Sequence, residues 1–270
     1  MFEELFTQFT ELPMPVFVSI LFVFGALLGS FANVVIYRFP KGESIVFPGS
    51  HCQSCGQAVK WYHNIPILAW FWLRGKCAHC GARFSFRYPL VEFIMGALFA
   101  GAGWKLGFQW TLVEALIFIF GVVTASVIDI DHMILPHAFT MPGIAIGLLG
   151  ASINPERAFT DALAGALFGF GFLWAIAYLY YVFRHREGMG GGDIWLLGWI
   201  GAVLGWKAIP VVILLSSVLG SIVGIILALR TKGGMQQAIP FGPYLAGAAL
   251  LYLFLDGARI AEWYVALHGL

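Results

Sequence analysis

The chain has 270 residues, 60% of them hydrophobic and 11% charged, with a mean hydropathy of +0.85. That balance excludes an ordinary soluble domain and describes a polytopic membrane protein. The net charge of +1 says nothing about partners; lipid is the surroundings expected from the composition, and no nucleic acid is.

The opening segment carries Glu3, Glu4 and Glu11 and no Lys or Arg. It lacks the basic start and small-residue cleavage site of a secretory signal, so the first apolar run is expected to remain as a span. About 20 apolar residues cross the hydrocarbon core. The pattern predicts about eight such helices, at 14–37, 88–105, 110–128, 137–153, 158–183, 194–206, 208–229 and 242–260. Lys207 and Pro210 divide the long apolar stretch from Ile194 to Leu229 into a hairpin with a short first arm. The expected fold is therefore all-α and polytopic, with a small cytoplasmic loop domain. Three parts follow: a membrane helix over 1–37, a four-cysteine domain over 38–87 and an intramembrane core over 88–270.

Basic residues set the orientation. With the N-terminus outside, the cytoplasmic side receives Arg38, Lys41, Lys60, Arg74, Lys76, Arg83, Arg87, Arg184, Arg186, Arg230 and Lys232. The other side receives Lys105, Arg157, Lys207 and Arg259. This asymmetry assigns residues 38–87, Asp129 and Asp193 to the cytoplasmic face.

All four cysteines lie in the polar insertion, as Cys52-x-x-Cys55 and Cys77-x-x-Cys80, each pair followed by glycine (Gly56, Gly81). They resemble zinc knuckles and supply four thiolates for a tetrahedral Zn2+. Two disulfides are the alternative, disfavoured where thiols are kept reduced. His51 and His79 are expected beside the metal shell, since four cysteines fill it. A loop of this size has little core of its own, so metal would supply much of its folding energy.

Asp129 closes the third apolar run. Asp193 follows Gly188-Met189-Gly190-Gly191-Gly192 and precedes the sixth. A carboxylate beside hydrocarbon costs roughly 2.5–3.5 kcal/mol at a helix centre. From Ile194 to Lys207 the helix is about 21 Å long against a core of about 30 Å, so Asp193 lies below the surface and needs water or a partner. Taken singly, Asp193 reads as a helix cap and Asp129 as a solvated helix end. Taken together they read as an acid pair sharing one proton, one member a base for water and the other an acid. Asp131, about 200° further round the helix, cannot join them while the helix continues. The glycines of the 188–192 segment offer an open backbone to which an extended chain can add.

With these residues in hand, the chain resembles the bacterial type IV prepilin peptidases, the leader peptidase/N-methyltransferases of the G-x-G-D aspartyl protease type. The resemblance rests on Gly29-Ser30-Phe31-Ala32-Asn33-Val34, both cysteine pairs, Asn64-Ile65-Pro66, Leu73-Arg74-Gly75-Lys76-Cys77 and Arg87-Tyr88-Pro89-Leu90-Val91-Glu92. It continues through Ile128-Asp129-Ile130-Asp131, Leu135-Pro136, Glu187-Gly188-Met189-Gly190, Gly190-Gly191-Gly192-Asp193 and Pro240-Phe241-Gly242-Pro243. It implies that Asp129 and Asp193 are the catalytic pair. It also implies inner-membrane location, prepilins and type II secretion pseudopilins as substrates, and methylation of the new N-terminus with S-adenosylmethionine. Two positions depart from the family pattern: Trp195 stands where the family usually has Lys, and His137 where it usually has Asp.

The cofactor site is less legible. Glu92 is a weak candidate, Arg38 and Arg87 read as topological anchors, and Asn33 as an interhelical hydrogen-bond donor. Two other readings remain at this stage: a protease without methyltransferase activity, and a proton-coupled transporter using the acids as a relay.

Overall fold

The computed structural model describes residues 12–154, 157–186, 188–230 and 239–255. The helices are α1 (Met14–Arg38), α2 (Leu68–Trp72), α3 (Arg87–Leu106), α4 (Trp110–His132) and α5 (His137–Ile153). They continue with α6 (Phe159–Arg184), α7 (Gly191–Leu204), α8 (Ala208–Arg230) and α9 (Gly242–Phe254). Single 3-10 turns occupy Phe39–Lys41 and Trp61–Asn64. Among the described residues the only β-pairing is two isolated bridges, His51 with Ala58 and Lys76 with Arg83.

Among the described residues, five helices are long and apolar enough to cross a membrane: α1 with its turn to Lys41, α3, α4, α6 and α8. The shorter apolar helices α5, α7 and α9 complete the set expected from the hydropathy pattern. The third helix runs on to His132 instead of stopping near 128, so Asp129 is a helical residue and not an end. The sixth begins at Gly191, three residues before Ile194. Glycine costs little there because first-turn N–H groups have no intrahelical partner in any case. The tail of the eighth run, 256–260, lies outside the described residues.

The chain divides into two compact units, residues 1–120 and 121–270. In the first, α1 packs on α3 through small residues that let the backbones approach. A Cβ on Gly29 would stand 2.7 Å from Glu92 Cα, and one on Gly25 2.8 Å from the Met95 carbonyl. Asn33 Nδ2 donates to the Tyr88 carbonyl at 3.1 Å, the interhelical bond expected of it. The buried Arg38 guanidinium donates to the carbonyls of Ser44 (3.0 Å) and Gly49 (3.2 Å), tying the cysteine segment to the end of α1.

In the second unit, α7 is buried along nearly its whole length. An all-round apolar helix of this kind sits inside a bundle. It crosses α6 so closely that Gly165 faces Gly201 and Gly169 faces the Leu197 carbonyl. The Trp199 indole fills the notch left by Gly121 and Gly143, and Arg157 donates to the Ala202 carbonyl.

Candidate active site

The last turn of α4, the 133–136 connection and the first turns of α7 and α9 converge in the second unit. Leu135 is the hub. A Cβ on Gly192 would lie 2.5 Å from Leu135 Cβ, and one on Gly242 would lie 2.7 Å from both Leu135 Cδ1 and Asp129 Oδ2. The N–H of Gly242 is directed at the Asp129 carboxylate, and Asp129 is near enough for its charge to act on Asp193. The chain thus gathers the two sequence-predicted acids at one place.

Both carboxyls are withdrawn from solvent, Asp129 at 5% exposure and Asp193 at 7%. Each keeps one buried oxygen without a hydrogen-bond partner, Oδ2 of Asp129 and Oδ1 of Asp193. Buried polar atoms are normally satisfied, and exceptions in native folds call for an explanation such as a catalytic role. A capping role does not supply it, because the α7 N-terminus has no side-chain cap hydrogen bond. Asp131, two residues on in the same helix, is exposed. Two helix N-termini, α7 carrying Asp193 and α9 beginning at Gly242, bring their partial positive ends to the negative charge.

Of the glycines singled out in the sequence, Gly188 and Gly190 are exposed in the segment before α7, and Gly191 and Gly192 form its first turn. Gly191 has open space where a side chain would be, whereas Gly192 has Leu135. Sequence reasoning missed Leu135 and Gly242 as parts of the site. The available signal was the Pro240-Phe241-Gly242-Pro243 run, whose Pro243 lies in the first turn of α9.

The cysteine segment forms a second site in the first unit. Cys52 N–H bonds the Gln57 carbonyl (2.9 Å) and Gly56 N–H the Cys52 carbonyl (2.8 Å). Cys77 repeats this with Ala82 (2.8 Å) and Gly81 (3.0 Å). Both turns close on a left-handed glycine, Gly56 at φ +69 and Gly81 at φ +73, where a side chain would be strained. The four cysteines are free, and their sulfurs lie within 4.8 Å of one another. Cys52 Sγ and Cys80 Sγ are 3.8 Å apart, the edge of a tetrahedron with metal–sulfur bonds of about 2.3 Å. Backbone N–H groups of Cys55 and then Ser54 lower the Cys52 thiol to about 6, whereas at Cys80 the Ala82 N–H is outweighed by burial and the neighbouring thiols, which push that thiol up to about 11, so the cluster forms its first thiolate at Cys52. His51 is exposed beside this cluster, with Nδ1 3.0 Å from the Gly49 carbonyl, and neither His51 nor His79 belongs to it. The residues fit a structural metal.

Glu92 lies on α3, buried, and accepts a 2.7 Å hydrogen bond from the Ile67 N–H. Ile67 sits at φ +64, a region a β-branched residue rarely enters. The sequence carried no sign of this link between α3 and the cysteine segment.

Residues 23–106 match the bacterial peptidase A24 N-terminal domain, and residues 116–225 match the type IV leader peptidase family. The prepilin leader peptidase/N-methyltransferase of Stutzerimonas stutzeri is 37% identical over 92% of this chain and 94% of its own length. That of Pseudomonas aeruginosa is 36% identical over 94% and 95%, and that of Myxococcus xanthus 43% over 80% and 65%. No solved structure matches the chain. With such identity along nearly its full length, the chain belongs to the family of bacterial prepilin leader peptidases/N-methyltransferases.

Proposed function

We propose that the protein is a prepilin leader peptidase with N-methyltransferase activity, and that Asp129 and Asp193 carry its peptide hydrolysis. The observation behind the acid pair is the pairing of two buried carboxyls, each with an oxygen left without a partner, where two helix N-termini meet. One carboxylate takes a proton from water, and the hydroxide oxygen attacks the scissile carbonyl carbon. The protonated partner gives its proton to the carbonyl oxygen; as the C–N bond breaks, the proton taken from water reaches the leaving amine and the re-forming carbonyl returns its proton to the partner. Gly242, where a Cβ would stand 2.7 Å from Asp129 Oδ2, lets that carboxyl sit against the start of α9. The exposed Gly188 and Gly190, with Gly191 and Gly192 behind them, receive the extended substrate backbone.

The substrates are prepilins and pseudopilins, inserted as helices with a basic leader on the cytoplasmic side. The enzyme lies in lipid, in the bacterial inner membrane, with its N-terminus outside and both the cysteine segment and the acids cytoplasmic. Residues 1–37 serve as a membrane helix, 38–87 as a zinc-binding domain and 88–270 as the protease core. Cys52, Cys55, Cys77 and Cys80 hold Zn2+ and shape the segment. In the second reaction S-adenosylmethionine, when bound, would supply its methyl group to the neutral N-terminal amine, leaving as a thioether, with the amine proton passing to water.

The decisive experiment is leader cleavage by purified Asp129→Asn and Asp193→Asn. Each variant should cleave prepilin slower by a factor on the order of 10² to 10⁴ yet stay inserted and folded. Wild-type processing by either would refute the acid pair.

A further inference from the structure

Between Lys60 and Arg74 the cysteine segment runs 13 residues without an Asp, Glu, Lys or Arg. This run contains α2, Leu68–Trp72. Ala69 is buried, and Trp70 turns inward, its Nε1–H donating to the Phe84 carbonyl at 3.3 Å and its ring meeting Phe86 at 5.2 Å. Leu68, Phe71 and Trp72 occupy the i, i+3 and i+4 positions of one helix face. They are 66%, 58% and 71% exposed. Three large apolar side chains turned outward together from so short a helix mark a contact surface.

The depth of α2 is fixed by its attachment to α3. The Ile67 N–H, directly before α2, donates to the Glu92 carboxylate at 2.7 Å. Glu92 lies five residues into α3, about 7.5 Å along its axis from Arg87. It is also level with Gly29 of α1, where a Cβ would stand 2.7 Å from Glu92 Cα. From Gly29, α1 runs nine residues further to Arg38, about 14 Å. Even with the glutamate side chain leaning toward the start of α3, Ile67 stays inside the level marked by Arg38. The headgroup layer is roughly 5–8 Å thick on each side of the hydrocarbon. The chain thus holds α2 where headgroups meet hydrocarbon, at the level of the exposed Leu90, Phe93 and Ile94 of α3.

We propose that α2 is an interfacial membrane helix, with Leu68, Phe71 and Trp72 seated in the phospholipid of the bilayer that α1 and α3 cross. Tryptophan suits that layer, its ring body meeting hydrocarbon and its N–H meeting headgroups. The exposed Lys60 and Arg74, which close the uncharged run, reach outward to lipid phosphates. A soluble protein partner fits less well, because it would have to enter the headgroup layer to reach a face at this depth. The four-cysteine segment is then held to the bilayer along one side instead of standing free in water. The inference rests on α1 and α3 crossing the membrane, as read above, and adds a lipid-seated surface to the segment between them.

The test uses the full-length, zinc-loaded protein in native membranes. Two single variants, Phe71→p-benzoylphenylalanine and Phe93→p-benzoylphenylalanine, carry a photoreactive ring that captures nearby C–H bonds. Each is irradiated, and its adducts are weighed by mass spectrometry. The Phe93 probe reports by itself whether α3 lies in lipid. The Phe71 probe should capture phospholipid with a yield within threefold of that at Phe93. A yield below one-tenth, or capture of a second copy or another protein in place of lipid, would overturn the interfacial helix and leave the span of α3 standing. Failure of both probes to capture lipid would overturn both. In a second pair of proteins, Phe71→Asp with Trp72→Asp should cut capture by a probe at Leu68 at least tenfold, while a probe at Phe93 in the same background stays within twofold. Undiminished capture at Leu68 would overturn the apolar face as the contact.

Discussion

His137 and Trp195 meet edge to face, ring centroids 6.1 Å apart and planes at 74°. These are the two positions at which the resemblance led one to expect Asp and Lys, and the fold brings them together. Phe170 packs on the other side of Trp195 at 4.8 Å. The three rings form an aromatic cluster around Trp195, two residues beyond Asp193. Such ring pairs contribute about 0.5–1.5 kcal/mol beyond their area. Trp195→Lys alone should therefore lower the melting temperature, and His137→Asp added to it should recover part of the loss. Thermal melts of the four proteins in one detergent give the coupling; strictly additive effects would mean the two positions act independently.

Removing either acid should cost cleavage by a factor on the order of 10² to 10⁴, the usual weight of a positioned acid or base. Because one proton serves both carboxyls, Asp129→Asn combined with Asp193→Asn should be little worse than either alone. Single-turnover cleavage of a prepilin by the three variants measures this. A double variant slower by the product of the two single losses would argue for independent roles.

The glycines of the site should differ sharply in tolerance. A methyl on Gly242 would stand 2.7 Å from Asp129 Oδ2, and one on Gly192 2.5 Å from Leu135 Cβ, whereas Gly191 faces open space. Displacing a catalytic group by about 1 Å can cost about 10²-fold. Gly242→Ala and Gly192→Ala should lose cleavage on that scale and Gly191→Ala should stay within a few-fold. Equal losses in all three would mean that chain flexibility, and not space, is what the glycines provide.

Metal analysis should find one zinc for each chain, lost when any two of the four cysteines become serine. Limited proteolysis after chelation should open cuts between residues 42 and 86 and spare the helices of the second unit, since metal binding supplies folding energy to a segment with few buried side chains. Unchanged protease resistance of the chelated protein would assign the segment's order to other contacts.

Much of this architecture can be read from the sequence because hydrocarbon thickness forces long apolar runs. That is why the eight expected spans coincide with helices over their described residues, and why the two acids drew notice as charges near their ends. Leu135 and Gly242, quoted only within motifs, could not be placed at the site for the opposite reason. A leucine in an apolar protein and a glycine before a proline are ordinary until packing brings them to a carboxylate. The helix α2 in the cysteine segment was likewise missed. It is five residues long, too short for any periodicity to register, and is held by the unusual Ile67 backbone and its bond to Glu92.

The brevity of α5 and α7 has a bearing on the membrane itself. Helices of 17 and 14 residues measure about 25 and 21 Å at 1.5 Å per residue, several ångströms short of a 30 Å core. Since α7 is enclosed by its neighbours, lipid meets the shortfall at α5, where it must compress or let headgroups dip inward. Turnover in vesicles should accordingly rise as acyl chains are shortened, with the bilayer's own deformation admitting solvent to the place where the peptide is cut.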